Sequence, residues 1–383
     1  MREVRLDGGA GGVRELSRAL GDALGGGAAV LPLTEDSEAV REAMRPDEPV
    51  EPGTAVIVAT SGSTGAPKGV LLSAEALVAS AEATHVRLGG AGHWLLATPA
   101  QYIGGLQVLV RSLVAGNEPA VMARGGFRAE DFAEAAKPVL AASGPRYTAL
   151  VPTQLTRLLD AGGEGLAAAK AFDAIVVGAA ATSGALRERA ADAGVSIVPA
   201  YGMSETASGC VYDGFPLDGV RVELGEDGRI SLAGSVLAHG YRLQPELTAE
   251  SFVDGRFLTS DRGKIHPDGR LEVLGRIDDM INTGGVKVAA AAIERVLTSQ
   301  AGVREACVVG LPDPQWGEAV VALVVAAETA PDVESLRSAV REELGAASTP
   351  KRIEFASALP LRGPGKIDRA EVKYLLLTSE ISR

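Results

Sequence analysis

The chain has 383 residues, 46% of them hydrophobic and 4% aromatic, with a formal net charge of −12. That length exceeds one ordinary core and predicts two or more domains, while the acidic balance excludes general affinity for nucleic acid or an anionic membrane. Two distant cysteines, Cys210 and Cys307, exclude a cysteine metal cluster or a disulfide framework and predict a reduced, cytoplasmic setting.

The opening stretch, MREVRLDGGAGGVREL, is charged throughout and lacks the apolar segment of a signal peptide. No apolar run reaches the ~20 residues that span a bilayer. From residue 55, short β-branched runs alternate with alanine-rich amphipathic segments, the signature of an α/β protein with helix-covered sheets. Strands are expected at AVIVA (55–59), GVLL (69–72), HWLLAT (93–98), YTALV (147–151), AIVVG (174–178) and SIVPA (196–200). Helices are expected at Ala74–Thr84, Ala129–Ala141, Gln154–Asp160 and Gly184–Ala193. Beyond Asp218 the texture changes to short strands joined by Asp-Gly turns, as in FVDGRFLTS and HPDGRLEVLG, which predict antiparallel hairpins in a small β-rich part. The tail reads helix (289–299), strands EACVVGL and AVVALVVAA, helix (334–344), strand RIEFAS and a glycine-rich loop, a small α+β domain. The boundary is expected near Arg276–Asp279, giving a large N-terminal domain of several subdomains over 1–276 and a C-terminal domain over 277–383.

TSGSTGAPKG (60–69) crowds small residues and one lysine behind an apolar run. It is not the nucleotide loop GxxxxGK[ST]: counted from Gly62, Pro67 takes the place of the second glycine, and Gly69 follows the lysine. A strand-like run follows before any helix, so a hairpin is implied. Two readings stand: a plain flexible turn, or a nest of backbone amides that with Lys68 holds phosphate. Read one at a time, Glu205, Asp261, Arg276 and Lys366 are ordinary charged residues beside glycine turns.

The wording of this segment resembles the phosphate loop of the adenylate-forming superfamily (acyl- and aryl-CoA ligases, nonribosomal adenylation domains, luciferases), and four further blocks follow in that superfamily's order. YGMSETASG (201–209) resembles the YGxTE block, TSDRGKI (259–265) the TGD block, GRIDDMINTGG (275–285) the GRxDD block, and PLRGPGKIDRAEV (360–372) the PxTxxGKxxR block. In the last, Lys366 and Arg369 match while Arg362 replaces the usual threonine. The resemblance covers the chain from about residue 55 and implies a shortened first subdomain. It also implies an ATP- and Mg²⁺-dependent enzyme that forms an acyl-AMP and then a thioester, with a mobile C-terminal domain turning about a hinge at Asp278.

By the same resemblance, Thr60, Ser61, Gly62, Ser63, Thr64, Gly65, Lys68, Gly178, Tyr201, Gly202, Asp261 and Arg276 bind ATP. Glu205 holds Mg²⁺, Ser204 touches phosphate, and Lys366 stabilises charge on the α-phosphate. Gly284 and Gly285 line the thiol tunnel, and Tyr102, Gly105, Ser208 and Gly209 lie around the acyl pocket. YTALVPTQL, QYIGGLQVLVRSLVAG and SGCVYDGFPLDGV look like the compact actinobacterial o-succinylbenzoate–CoA ligases of menaquinone biosynthesis. Tyr102 departs from that family's histidine and loses a group that titrates near neutrality; VAAAAIE (288–294) departs from its proline and glutamate. Another aryl or acyl acid, delivered to CoA or to a carrier-protein thiol, therefore stays open, as does a homodimer. A non-catalytic nucleotide-binding protein is disfavoured by retention of Lys68, Glu205, Asp261, Arg276 and Lys366 together.

Overall fold

The computed structural model describes residues 1–61, 67–122, 125–327, 329–363 and 365–381. They divide into two compact units: Met1–Thr182, Leu186–Glu223 and Ser231–Thr259 form the first, and Ser183–Ala185, Leu224–Ile230 and Ser260–Arg383 the second. Asp261, Arg276 and Asp278 all fall in the second unit. Among the described residues no helix is long and apolar enough to cross a membrane.

Two sheets lie wholly within the first unit. One is five-stranded, in the order Arg2–Leu6, Val30–Thr34, Val56–Ser61, Pro67–Leu72, Gly240–Tyr241. Its first three strands run parallel, and Val56–Ser61 turns back on Pro67–Leu72 as an antiparallel hairpin. The strand–helix–strand ahead of residue 55 is an addition to the expected elements. Yet the helix Ala10–Leu24 buries Val13, Leu16, Leu20 and Ala23, the three-to-four spacing of an amphipathic helix. Its glycine-rich entry and lack of a side-chain cap hide the start.

The other sheet is seven-stranded, in the order Phe215–Pro216, Ser208–Tyr212, Ile197–Met203, Ala174–Val177, Arg146–Leu150, His93–Leu96, Ala120–Val121. From Ile197–Met203 to Ala120–Val121 the strands are parallel, and the other two are antiparallel additions. Helices Ala129–Ala141, Pro152–Ala161 and Gly163–Lys170 pack Phe132, Leu155, Leu158 and Ala169 against Leu95, Leu150, Ile175 and Val177. The helix expected at Ala74–Thr84 extends to Leu88, because Ser73 caps its start and the first left-handed residue is Gly89 (φ +100°). The helix Ile103–Val114 is an addition to the expected set. It is apolar nearly all round, a pattern that does not separate buried helix from buried strand. The Asp254–Gly255 turn has both residues at positive φ (+50° and +72°), as the Asp-Gly signature requires, and joins Phe252–Val253 to Arg256–Ile265.

In the second unit Val303–Asp313 and Gly317–Ala326 form a long hairpin, and Gly317–Ala326 also pairs with Arg352–Ala356 and, at Gly317, with Met280–Thr283, which carries Val286–Ala289. Alternate residues face opposite cores. Val308, Val320, Ala322 and Val324 meet helices Ala290–Thr298 and Val333–Leu344 through Ile293, Leu297, Leu336 and Val340. Cys307, Val309, Val321, Leu323 and Val325 meet Val372 and Leu376 of the helix Arg369–Ile381. That last helix is also absent from the sequence reading. It turns a sheet with one wet face into one buried on both, which explains the unbroken apolar run AVVALVVAA.

Candidate active site

The hairpin Val56–Ser61/Pro67–Leu72 sets Thr60 opposite Lys68 and Ser61 opposite Pro67. Gly62, Ser63, Thr64 and Gly65 lie outside the described residues. Thr60 Oγ1 donates to the Lys68 carbonyl at 3.3 Å. Gly69 has a packing reason to be glycine: a Cβ there would stand 2.3 Å from Met44 Sδ and 2.8 Å from Ile57. The lysine therefore leaves a strand pressed into the core, which fixes its stem.

Glu205 sits on a one-turn helix, Ser204–Thr206, between two antiparallel strands. Thr206 Oγ1 accepts from Met203 N–H (2.9 Å) and donates to the Ser208 carbonyl (2.7 Å), closing the turn. Two consecutive non-glycine residues, Ala207 (φ +48°) and Ser208 (φ +97°), are held in the left-handed region, a strain that accumulates at functional turns. Gly202 permits the closure, since a Cβ there would meet the Ser208 carbonyl at 2.2 Å; Gly209 does the same against the Tyr212 ring at 2.9 Å. Gly202→Ala is expected to lower the melting temperature and to remove nucleotide binding, whereas alanine at Gly104, which has nothing within 4 Å of the added atom, should leave both unchanged. Thermal melts with and without ATP check this.

Lys68 Nζ donates to Glu205 Oε1 at 3.0 Å, across 137 residues of sequence. The structure adds a third member that motif reasoning missed. Tyr241 O–H donates to the same Oε1 at 2.9 Å, accepts from Lys68 Nζ at 3.2 Å, and presents its ring 4.2 Å from that ammonium. Burial, with the neighbouring Glu205, pushes the Tyr241 phenol far up, so it stays a neutral donor. Ser204 is buried beside Glu205. Gly178 and Tyr201 follow the parallel pairing of Ala174–Val177 with Ile197–Met203, at the carboxyl ends where open α/β sheets bind ligands. Gly178 N–H donates to the Leu150 carbonyl at 3.1 Å.

Tyr102 is the N-terminal flanking residue of the helix Ile103–Val114 and is partly exposed. Gly105 lets that helix cross the Pro99 carbonyl, which a Cβ would meet at 2.4 Å. One turn and more along the same helix lies a polar cluster that sequence reasoning did not single out. Arg111, fully buried, donates to Tyr212 O–H at 3.2 Å and stacks 4.9 Å from the Trp94 ring. Gln107 Nε2 donates to the Leu77 carbonyl at 3.2 Å. Among the described residues His85 Nε2, Trp94 Nε1, Gln107 Oε1 and Arg111 Nε have no hydrogen-bond partner, and no carboxylate pairs with Arg111. The available signal is Gln107 and Arg111 four apart on an otherwise apolar helix.

Burial, and then the Arg111 charge, hold His85 down to about 4 against an ordinary 6.5. A depressed folded-state value favours the neutral ring, so stability is full above pH 6.5 and is lost as pH falls toward 4. Replacing His85 with leucine should flatten that slope between pH 6.5 and 4, read from urea midpoints. Burial also pushes the Cys210 and Cys307 thiols up to about 12, so neither supplies a thiolate near neutrality.

In the second unit Asp261 and Arg276 are directly opposite in the antiparallel pair Arg256–Ile265/Leu271–Arg276. Arg276 Nη2 donates to Asp278 at 2.5 Å. Burial opposes the Arg276 charge, but Asp278 and Asp261 outweigh it and its pKa is raised. Gly284 and Gly285 (φ +59° and +79°) form the two-residue turn of the hairpin Met280–Thr283/Val286–Ala289. The Trp316 ring lies where a Gly284 Cβ would project, at 2.8 Å. Lys366 is exposed, paired in register with Arg362 in the small hairpin Leu361–Arg362/Lys366–Ile367. Arg369, three residues on, is held otherwise: it grips Glu294 at 2.6 and 2.9 Å, Asp279 at 3.2 Å and the Val308 carbonyl at 2.8 Å. The alanines of VAAAAIE keep the helix Ala290–Thr298, and its Glu294 is the Arg369 anchor.

A family model of AMP-binding enzymes matches residues 22–241, and the AMP-binding enzyme C-terminal domain matches residues 292–366. A probable 2-succinylbenzoate–CoA ligase of Mycobacterium tuberculosis is 41% identical over 362 residues, covering 93% of this chain and 92% of its own. The o-succinylbenzoate CoA synthetase of Bacillus subtilis, solved with the acyl-adenylate OSB-AMP, superposes with a TM-score of 0.73 at 25% identity, covering 93% of this chain and 80% of its own. The amide bond synthetase McbA of Marinactinospora thermotolerans gives 0.76 at 27% identity, over 95% and 82%. The ordered motifs, the Lys68–Glu205 constellation and these matches agree: the chain belongs to the AMP-binding (adenylate-forming) enzyme family.

Proposed function

We propose that the protein is an AMP-forming acid–CoA ligase whose acid is o-succinylbenzoate, in menaquinone biosynthesis. In the first half-reaction a carboxylate oxygen bonds to the ATP α-phosphorus and pyrophosphate leaves. In the second, the CoA sulfur bonds to the acyl carbon, AMP leaves and the thiol proton goes to solvent. The observation that carries this reaction class is the meeting of Lys68 and Glu205 beside the glycine-rich hairpin. A cation on the strand that follows that glycine-rich segment suits the β- and γ-phosphates that depart as pyrophosphate.

The residues fit Mg²⁺ as well. Lys68 and Tyr241 both bond Glu205 Oε1, and Oε2 has no partner among the described residues. The same residues contain no group of three or more His, Cys, Asp or Glu that could hold a metal. A single carboxylate suits an ion that binds through one or two carboxylates plus phosphate oxygens and water. When bound, Mg²⁺ neutralises phosphate charge; Glu205 holds it and Ser204 supports the phosphates. Asp261 and Arg276 take the ribose side, Tyr201 and Gly178 the adenine, and Lys366 the α-phosphate in the adenylating state. Asp278 is the hinge, and Gly284–Gly285 faces the thiol in the second state.

The relatives' names support o-succinylbenzoate, and Arg111 gives a physical reason. A buried guanidinium without a counter-ion is costly, and an acid with two carboxylates offers one to activate and one to compensate that charge. Arg111 shares the helix Ile103–Val114 with Gly105 and is tied through Tyr212 to the strand that begins at Ser208 and Gly209. A panel of acids with ATP and CoA, scored by thioester mass, tests the assignment; no thioester from o-succinylbenzoate with a robust one from another acid would reject it. Arg111→Met should raise KM for o-succinylbenzoate at least about tenfold while KM for ATP stays within twofold, and equal changes in both would remove Arg111 from acid recognition.

A further inference from the structure

Tyr241 belongs to the two-residue strand Gly240–Tyr241, which pairs antiparallel with the lysine strand, Tyr241 opposite Val70. Its backbone N–H is held by Thr248 Oγ1 at 2.9 Å, and its ring packs against Phe252 with centroids 5.7 Å apart. The residue is 3% exposed. The Ala238 N–H, three residues before it, donates to the Glu205 carbonyl at 2.8 Å, so one short segment grips both the backbone and the side chain of the glutamate. Phenol, ammonium and carboxylate form a closed triangle with edges of 2.9, 3.0 and 3.2 Å.

Nucleotide binding requires this triangle to open on one edge only. Lys68 must exchange Glu205 for phosphate, which strips the carboxylate of its cation. The phenol hydrogen bond stays on Oε1 and keeps that oxygen occupied, so the carboxylate presents Oε2. The aromatic ring meanwhile remains within cation–π range of the ammonium, limiting the rotamer freedom a long lysine otherwise has to surrender. We propose that Tyr241 is a positioning residue for Mg²⁺–ATP, acting through Glu205 with its hydroxyl and through Lys68 with its ring. The inference rests on reading this site as the Mg²⁺–ATP site and is independent of which acid the enzyme takes.

Tyr241→Phe deletes the hydroxyl and keeps the ring, and its melting temperature is compared with that of the unaltered protein to establish that it folds. ATP affinity is measured by calorimetry on the full chain, with saturating Mg²⁺ and with EDTA. The variant should bind Mg²⁺–ATP about tenfold more weakly and metal-free ATP with unchanged affinity, and in a Glu205→Gln background the same change should have no further effect. KM for Mg²⁺–ATP should rise more than kcat falls. Equal weakening with and without Mg²⁺, an undiminished effect in the Glu205→Gln background, or unchanged affinity in both conditions would overturn the proposal. If the unaltered protein binds no ATP at all, the reading of the site fails and this inference with it, whereas the outcomes above overturn the inference alone.

Discussion

Lys366→Ala is expected to slow acyl-adenylate formation by about 10²–10³-fold and to leave thioester formation from preformed acyl-adenylate near the wild-type rate. The lysine opens a two-residue strand and follows Gly363 (φ +55°) and Gly365 (φ +90°), a backbone that only glycine adopts without cost. It is exposed, so its removal opens no cavity, and thermal stability should stay within the range of surface substitutions. Loss of rate then reports on charge stabilisation at phosphorus. Arg369 of the same block is the control. Its guanidinium fastens the last helix to Glu294 and Val308, so Arg369→Ala should lower the melting temperature and impair both half-reactions together. Equal loss of both half-reactions in Lys366→Ala would refute a lysine that serves only the first. Rapid-quench measurement of each half-reaction separates these outcomes.

Arg242→Met is expected to destabilise the first unit by about 3–5 kcal/mol. The side chain is fully buried and donates to four carbonyls, Met44 (3.0 Å), Arg45 (3.0 Å), Glu48 (3.1 Å) and Pro49 (2.6 Å), besides its ion pair with Glu51 at 2.9 Å. Methionine fills similar volume but leaves those acceptors unpaired, and buried acceptors without donors carry their full desolvation cost. Arg242 N–H also donates to the Gly69 carbonyl at 2.8 Å, next to Lys68. The lost clamp should therefore weaken ATP binding as well as stability. Glu51→Gln keeps the carbonyl contacts and should cost less than half as much. Urea unfolding of the two variants, followed by ATP titration of what remains folded, checks both parts; an Arg242→Met protein as stable as the wild type would show that the clamp contributes nothing net.

Contiguous chemistry was the legible part of this sequence. The glycine-rich hairpin, the glutamate turn, the Asp-Gly turns and the two-sided tail strands each leave a local pattern. Pairing Thr60 with Lys68 across a turn, for instance, follows from two short apolar runs flanking small residues. What stayed hidden was made by long-range pairing. Tyr241 reaches Lys68 across 173 residues and Glu205 across 36, and nothing in LAHGYRLQ says which strand it joins. Arg111 and His85 look like stray polar residues until the helix Ile103–Val114 is packed on Trp94 and Tyr212. The glycines show a different kind of limit. Gly69, Gly105 and Gly202 sit in motifs read as ligand loops, yet each is required by a close approach within the fold. A glycine in a motif thus speaks for backbone geometry first and ligand contact second.

The most direct test of the central claim is acid-dependent exchange of labelled pyrophosphate into ATP, run without CoA. Exchange is expected to require o-succinylbenzoate and Mg²⁺, to proceed with no thiol present, and to disappear in Lys366→Ala. Exchange that needs CoA, or turnover that releases ADP and phosphate in place of AMP and pyrophosphate, would contradict the claim.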